Sequence, residues 1–248
     1  MPVLHLLGTG AAVSDPGRTT TMLALESGGC SIVVDCGGDV IQRFLAAGLD
    51  ADGIEGLIVT HEHPDHCSGF PLFMERIWLM GRRRPILVYG IAPAIAQARR
   101  AFEAFDTSGW EGLPEIRWRE VAHESGARVL QDERWRITAA PGIHGVPVVG
   151  IRVEAAEGGV AAYSCDTAKS PLITELSRGA DLLVHEATNT EQGGHTTNEQ
   201  AAEVARDAGA GRLVLVHLPP GTDESQLAEA RRIFPRTEYG VDGASYRF

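Results

Sequence analysis

The most distinctive segment of this 248-residue chain is Thr60-His61-Glu62-His63-Pro64-Asp65-His66. It follows the short apolar run Gly56–Thr60, which predicts a buried β-strand. Three imidazoles and an aspartate lie within six residues, and such side chains are ligands for Zn²⁺ and related divalent metals. Packed together without a metal, they would leave polar groups in need of partners. The segment therefore predicts a metal site in the loop after this strand.

Further ligand candidates follow other apolar runs. His144, Asp166 and His217 each come where a predicted strand runs out into a loop. Loops at strand ends are the usual place for functional side chains. Taken singly, each residue is also explained as a turn aspartate or as a histidine that caps a strand. Their shared placement favours all three as ligands that complete the site.

Apolar patterning predicts short strands that alternate with helices. The predicted strands are Val3–Leu7, Thr20–Leu25, Ser31–Asp35, Gly56–Thr60, Pro85–Tyr89, Glu115–Val121, Arg134–Ala139, Val146–Val153, Gly159–Ser164, Asp181–His185 and Arg212–His217. The predicted helices are Asp39–Ala47, Phe70–Met80, Ala92–Phe105, Ser170–Ser177, Thr197–Ala208 and Ser225–Phe234. This order predicts an α/β protein with two sheet layers covered by helices. Because no change in composition marks a boundary, we expect residues 1–248 to form a single domain.

Composition limits the partners and the compartment. The net charge is -11, which repels nucleic acid and anionic membranes at long range. No stretch approaches the roughly 20 apolar residues of a membrane-spanning helix, and the start of the chain lacks the basic region of a secretory signal. Four cysteines without a paired spacing favour free thiols in a reducing compartment. We therefore expect a cytoplasmic protein with no membrane partner.

The order of these ligand candidates resembles that of the metallo-β-lactamase-fold hydrolases. His-x-His-x-Asp-His is followed by a histidine, by an aspartate in Ser-Cys-Asp-Thr, and by a final histidine. Two segments, His185-Glu186-Ala187-Thr188 and Gly194-His195-Thr196-Thr197, are similar to segments of ribonuclease Z and its relatives. Leu7-Gly8-Thr9-Gly10 is similar too. The resemblance extends from about residue 4 to residue 217 and is closest to the ribonuclease Z branch.

The resemblance implies a four-layer αββα sandwich with two zinc ions at one edge. The implied metal ligands are His61, His63 and His144 for one ion, Asp65, His66 and His217 for the other, and Asp166 as the bridge. Asp35 matches the aspartate that supports the ligands in this fold.

The implied reaction is hydrolysis of a phosphodiester by metal-bound hydroxide. Asp65 would also orient the nucleophile. His195, held by Glu186, would protonate or stabilise the leaving alkoxide, because a carboxylate partner raises the pKa of an imidazole and fixes its tautomer. We therefore expect an enzyme whose catalytic residues are Asp65, His195 and Glu186.

The substrate is left open between RNA and a small phosphodiester. Ribonuclease Z carries an inserted arm that grips tRNA, whereas only 21 residues separate His144 from Asp166 here. Three alternatives therefore remain open. The chain could process tRNA 3′ ends, it could hydrolyse a small ester, lactone, sulfate ester or cyclic nucleotide, or it could have a non-catalytic binding role. The apolar stripe of Phe70–Met80 could support a homodimer, and core packing explains it equally well.

Overall fold

The computed structural model describes residues 1–248 and contains two mixed, seven-stranded sheets. The strands are β1 (Val3–Gly8), β2 (Met22–Ser27), β3 (Cys30–Val34), β4 (Ile54–Val59), β5 (Ile86–Gly90), β6 (Ile116–Glu120), β7 (Ala127–Gln131), β8 (Trp135–Pro141), β9 (Val149–Ala155), β10 (Val160–Tyr163), β11 (Leu182–Glu186), β12 (Leu213–Val216), β13 (Thr237–Tyr239) and β14 (Ser245–Arg247). The first sheet has the order β14-β1-β2-β3-β4-β5-β6. The second has the order β13-β12-β11-β10-β9-β8-β7.

Helices cover the outer face of each sheet. They are α1 (Val40–Ala46), α2 (Pro64–Cys67), α3 (Phe70–Leu79), α4 (Ala92–Glu103), α5 (Pro171–Leu176), α6 (Asn198–Ala208) and α7 (Ala228–Ile233), with 3-10 turns at Ala51–Gly53 and Glu224–Leu227. Helices α1 to α4 belong to the first sheet and α5 to α7 to the second. The predicted four-layer αββα architecture is confirmed. No helix combines the length and the apolar character that a bilayer crossing requires.

Strand β11 begins as an unbroken apolar run because both of its faces are covered. Leu182 and Val184 join the core that also contains Leu4 of the first sheet. Leu183, between them, packs instead with Ala201 of α6. Because successive side chains of a strand point to opposite faces, a strand covered on both sides needs an apolar residue at every position. The central strands of the second sheet are therefore buried between the first sheet and the outer helices.

The carboxyl ends of several strands meet at one edge. β9 is antiparallel to both β8 and β10, while β11 and β12 extend the sheet from β10 in parallel. Strands β8, β10, β11 and β12 thus end on the same side. The backbone N–H of Val149 donates to the carbonyl of Thr60, just past β4, at 3.3 Å. This bond joins the end of β4 in the first sheet to the same edge of the second.

Three short edge strands were missed by the sequence prediction, and one helix is interrupted. β7 exposes Arg128 and Gln131, and β14 buries only Tyr246, so neither has a strong apolar pattern. β13 has only three residues. The predicted helix Ser225–Phe234 is divided into a 3-10 turn and α7. The one-turn helix α2 was also missed, because its segment was interpreted as a loop. These differences leave the central strands as predicted.

The apolar stripe of α3 is used for core packing. Phe70, Phe73, Met74 and Ile77 are buried against the first sheet and α4. Large apolar side chains are exposed only at the end of the stripe, at Leu79 and Met80. Core packing thus accounts for most of this stripe, and the homodimer stays a prediction.

Candidate metal centre

The structure brings all seven predicted ligands to the edge where the strands end. His61 follows β4, His144 follows β8, Asp166 follows β10 and His217 follows β12. The other three predicted ligands come from α2 and the residue before it. Residues that are up to 156 positions apart in the chain therefore share one site because the two sheets present their carboxyl ends together.

A single turn of helix holds three of the ligands. α2 begins at Pro64, whose restricted φ suits a first helical position, with His63 just before it and Asp65 and His66 within it. The backbone of Gly37 packs directly on this turn. A Cβ at Gly37 would stand 1.7 Å from the carbonyl oxygen of Asp65. Any larger residue at position 37 would therefore push α2 away from the other ligands.

One group of potential ligand atoms belongs to His61, His63, His144 and Asp166. These atoms all lie within 4.8 Å of one another. Nε2 of His144 is 3.1 Å from Nδ1 of His63. Oδ2 of Asp166 is 4.0 Å from Nε2 of His61 and 4.0 Å from Nε2 of His144. Three imidazoles and one carboxylate oxygen thus surround a common point.

A second group contains Asp65, His66, His217 and, again, Asp166. Nε2 of His217 lies 3.3 Å from Oδ2 of Asp65 and 3.3 Å from Oδ2 of Asp166. Nε2 of His66 lies 3.5 Å from Oδ2 of Asp65 and 3.5 Å from Oδ1 of Asp166. Asp166 is therefore common to both groups, as expected of a carboxylate that bridges two cations.

Buried atoms without partners test whether a metal fits these groups. Nε2 of His61, Nε2 of His66 and Oδ1 of Asp166 are inaccessible to solvent and have no hydrogen-bond partner. A buried polar atom left unpaired costs about 1–3 kcal/mol, and a cation would bind each of these lone pairs. Ligand atoms at about 2.0–2.2 Å from a tetrahedral metal stand roughly 3.3–3.6 Å apart. The closer distances in the second group match that separation, so the residues fit a divalent metal cofactor.

Hydrogen bonds behind the ligands fix which ring nitrogen faces the site. Nδ1 of His66 donates to Oδ2 of Asp35 at 2.8 Å, and this buried carboxylate also accepts from the N–H of Thr60 at 2.9 Å. Nδ1 of His144 donates to the carbonyl of Gly194 at 3.1 Å. Because Nδ1 of both rings is bonded away from the site, Nε2 is the atom that faces the ligand group and that a cation would bind.

Charge and burial set the protonation of the site. Burial lowers the pKa of His61 to about 2, and the nearby His66 adds to the effect. Burial also acts on His66, but the carboxylates of Asp166 and Asp35 outweigh it and raise that pKa. The pKa of Asp166 is lowered in spite of its burial, because His217 and His66 stabilise its anionic form. Asp166 thus remains an anion at neutral pH, as a metal ligand must.

Glu186 and His195 form a pair beside both ligand groups. Glu186 ends β11 and is fully buried, and its Oε1 accepts from Nδ1 of His195 at 3.0 Å. The ring centroid of His195 lies 5.4 Å from that of His217 and 4.9 Å from that of His144. Burial lowers the pKa of His195, but the hydrogen bond to Glu186 outweighs it, so the pKa is raised. His195 can therefore carry a proton next to the candidate metal ligands.

Three threonines complete the partners of the Glu186 carboxylate, and we did not predict a role for them from sequence. It accepts from the backbone N–H groups of Thr167, Thr188 and Thr196 at 3.2, 2.8 and 3.0 Å. It also accepts from the hydroxyl of Thr188 at 3.0 Å. The one available signal was that Thr188 and Thr196 adjoin the predicted acid–base residues in the chain.

Left-handed backbone conformations are concentrated around this centre. The four non-glycine residues with positive φ are Asp35, Cys165, Asn189 and His217. One is a predicted ligand, two stand next to Asp166 and Thr188, and one holds His66. Such conformations cost of order 1–3 kcal/mol each and persist where the surrounding structure holds them in place. The strained backbone conformations are thus found at the residues that orient the candidate ligands.

Comparison with known proteins agrees with this geometry. Residues 31–218 match the family described as a beta-lactamase superfamily domain. A ribonuclease Z of Salinibacter ruber is 32% identical, with 97% of this chain and 92% of that protein covered. A ribonuclease Z of Methanothermobacter thermautotrophicus is 29% identical, with 98% of this chain and 95% of that protein covered.

The structure is also similar to a solved one. The short form of human tRNase Z superposes with a TM-score of 0.82 at 25% identity, covering 100% of this chain and 99% of that one. The likeness therefore includes both sheets and the edge that carries the candidate ligands.

Proposed function

Because the chain belongs to the beta-lactamase superfamily, among relatives of ribonuclease Z, we propose that it is a metal-dependent phosphodiesterase. The observation that carries the proposal is the pair of ligand groups joined by Asp166, with His195 and Glu186 at their side. One cluster of 49 buried apolar residues contains members from Leu4 to Tyr246 and from both sheets, so we propose that residues 1–248 act as one hydrolase domain.

We propose two zinc ions as the cofactor. His61, His63 and His144 would hold one ion, Asp65, His66 and His217 the other, and Asp166 both. The chemistry is favourable because imidazole and carboxylate suit zinc, and all seven side chains lie at the same edge. When bound, two such ions lower the pKa of a water molecule to near neutrality and stabilise the charge that develops on a phosphoryl group.

The residues of the chain supply orientation and a proton. Water attacks phosphorus, the bond from phosphorus to the leaving oxygen breaks, and that oxygen needs a proton. His195 can give it from Nε2, because Nδ1 is committed to Glu186. Asp65 stands at the more open side of the ligands, where its carboxylate can also orient the attacking water.

The substrate we favour is RNA or a small phosphodiester. The alignment with the Methanothermobacter relative spans 299 positions, whereas this chain has 248 residues. The relative therefore contains insertions that this chain lacks. Since His144 and Asp166 are joined here by two strands with a short turn, we expect weaker retention of a large RNA than of a substrate that fills only the metal site.

Hydrolysis by the zinc-loaded protein tests the proposal. We expect turnover of bis-p-nitrophenyl phosphate and of a cyclic nucleotide, and cleavage of a precursor tRNA at higher enzyme concentration. A lactone and an aryl sulfate ester serve as comparison substrates. Turnover of either with no hydrolysis of any phosphodiester would overturn the proposed reaction and favour the alternative of a small-ester hydrolase in the same fold.

A further inference from the structure

We propose that the hydroxyl of Thr188 is a positioning group that couples the ligand His217 to the acid–base pair Glu186–His195. The inference deepens the proposed function, because it assigns a role inside the same site. Oγ1 of Thr188 lies 2.7 Å from Nδ1 of His217 and 3.0 Å from Oε2 of Glu186. One hydroxyl thus contacts both halves of the centre.

The hydroxyl has a single proton, and its neighbours decide where that proton goes. Glu186 is a fully buried carboxylate that only accepts, so the hydroxyl of Thr188 donates to it. Its oxygen then accepts from Nδ1–H of His217. Nε2 of His217, the atom 3.3 Å from Oδ2 of both Asp65 and Asp166, is then the nitrogen that a cation would bind between these carboxylates. Thr188 therefore holds the ring of His217 in the orientation in which Nε2 faces the other ligands.

The hydrogen bond from Thr188 to Glu186 also connects His217 to the proton donor, His195. Oε1 of Glu186 accepts from His195, while Oε2 accepts from Thr188. A continuous chain of hydrogen bonds thus runs from His217 through Thr188 and Glu186 to His195. Because the Glu186 carboxylate binds both Thr188 and His195, a displacement of His217 that moves Thr188 would be transmitted to the orientation of His195.

Loss of the hydroxyl should leave the loop in place. The backbone N–H of Thr188 donates separately to Oε2 of Glu186 at 2.8 Å, so the main chain stays anchored without the side chain. Valine has the shape of threonine without the hydroxyl, and serine keeps the hydroxyl without the methyl group. Thr188→Val and Thr188→Ser therefore separate the hydrogen bond from packing.

Two measurements without substrate test the coupling. In the zinc-loaded protein, the Nδ1 proton of His217 should be visible in ¹H–¹⁵N spectra and protected from solvent exchange in wild type and in Thr188→Ser, and it should exchange much faster in Thr188→Val. Zinc affinity, measured by competition with a chelator, should fall about 10- to 100-fold in Thr188→Val, as for other losses of a ligand's hydrogen-bond partner, and recover in Thr188→Ser. Thr188→Ala removes the same hydroxyl and serves if the valine variant does not fold.

Thr190→Val is the matched control, because Thr190 lies in the same loop and its hydroxyl accepts only from the N–H of Gln192. It should bind zinc like wild type. An equally protected Nδ1 proton of His217 and an unchanged zinc affinity in Thr188→Val and Thr188→Ala would overturn the coupling. These measurements do not depend on turnover. A wild-type protein that hydrolyses no phosphodiester would refute the proposed function, whereas the role of Thr188 would still be tested by these measurements alone.

Discussion

The carbonyl oxygen of Gly194 accepts from Nδ1 of His144 at 3.1 Å, so the loop that carries the proton donor is bonded to a candidate metal ligand. The approach is close because Gly194 has no side chain. Its φ is +81°, and a Cβ there would stand 2.7 Å from Cα of His144 and 2.8 Å from the carbonyl oxygen of Ile143. The placement of His195 and of His144 therefore depends on one glycine.

Gly194→Ala should displace this loop and lower both activity and metal affinity. We expect the turnover of a phosphodiester to fall by at least about 100-fold, since a shift near 1 Å at a reacting group has effects of that size. Gly29→Ala, in the turn between β2 and β3, is the matched control. Gly29 also has a positive φ, of +77°, but a Cβ there would meet nothing within 4 Å. Equal losses in the two variants would mean that strain at a left-handed residue, and not the contact with His144, matters.

His195→Ala should slow poor leaving groups more than good ones. A p-nitrophenolate leaves without a proton, whereas an alkoxide needs one, and general acid catalysis typically contributes about 10²–10⁴-fold. We expect a loss in that range for an alkyl phosphodiester and a much smaller loss for bis-p-nitrophenyl phosphate. The measurement is kcat for a series of leaving groups. His5→Ala, in strand β1, should leave the whole series unchanged, and uniform slowing in His195→Ala would refute the proton-donor role.

Much of the fold could be predicted because its central strands are apolar on both faces. Runs such as Asp181–His185 and Arg212–His217 stand out in the sequence, and the structure has strands there with the candidate site residues at their ends. Edge strands such as β7 carry half-exposed, charged positions, so apolar patterning does not distinguish them from loops. A strand can thus be predicted from apolar patterning when both of its faces are buried.

The candidate site could be predicted only where its side chains have distinctive chemistry. Histidines and aspartates in a short motif are rare enough to indicate ligands. Thr188 and Gly194 lie in the two segments that resemble ribonuclease Z, but their residue types do not indicate what they contact. Their importance comes from the 2.7 Å hydrogen bond of Thr188 to His217 and from a backbone so close that a Cβ at Gly194 would stand 2.7 Å from Cα of His144. Contacts of that kind depend on how β11 and β12 are placed, which local patterns do not specify.

Asp65→Asn should reduce turnover far more than stability. Oδ2 of Asp65 lies 3.3 Å from Nε2 of His217, yet the side chain keeps 13% of its surface exposed, so an amide can replace it without repacking the core. We expect kcat to fall at least about 100-fold, because the amide has a neutral oxygen and is a poor ligand and a poor base. The melting temperature of the metal-free variant should change by only a few degrees. Asp52→Asn is the control, because the side chain of Asp52 is 80% exposed and distant from the site. An unchanged rate in Asp65→Asn would exclude a role for Asp65.

Removal of metal should destabilise the folded chain. Nε2 of His61, Nε2 of His66 and Oδ1 of Asp166 lose their only partners when a cation leaves. A ligand at 100 times its dissociation constant stabilises the native state by about 2.7 kcal/mol, which corresponds to roughly 5–10 °C for a domain of this size. A chelator should lower the melting temperature by that amount, and added zinc should restore it. In His61→Ala the chelator should have a smaller effect, while in His5→Ala the full shift should persist. A melting temperature that is indifferent to chelator and to zinc would show that these buried groups hold no metal.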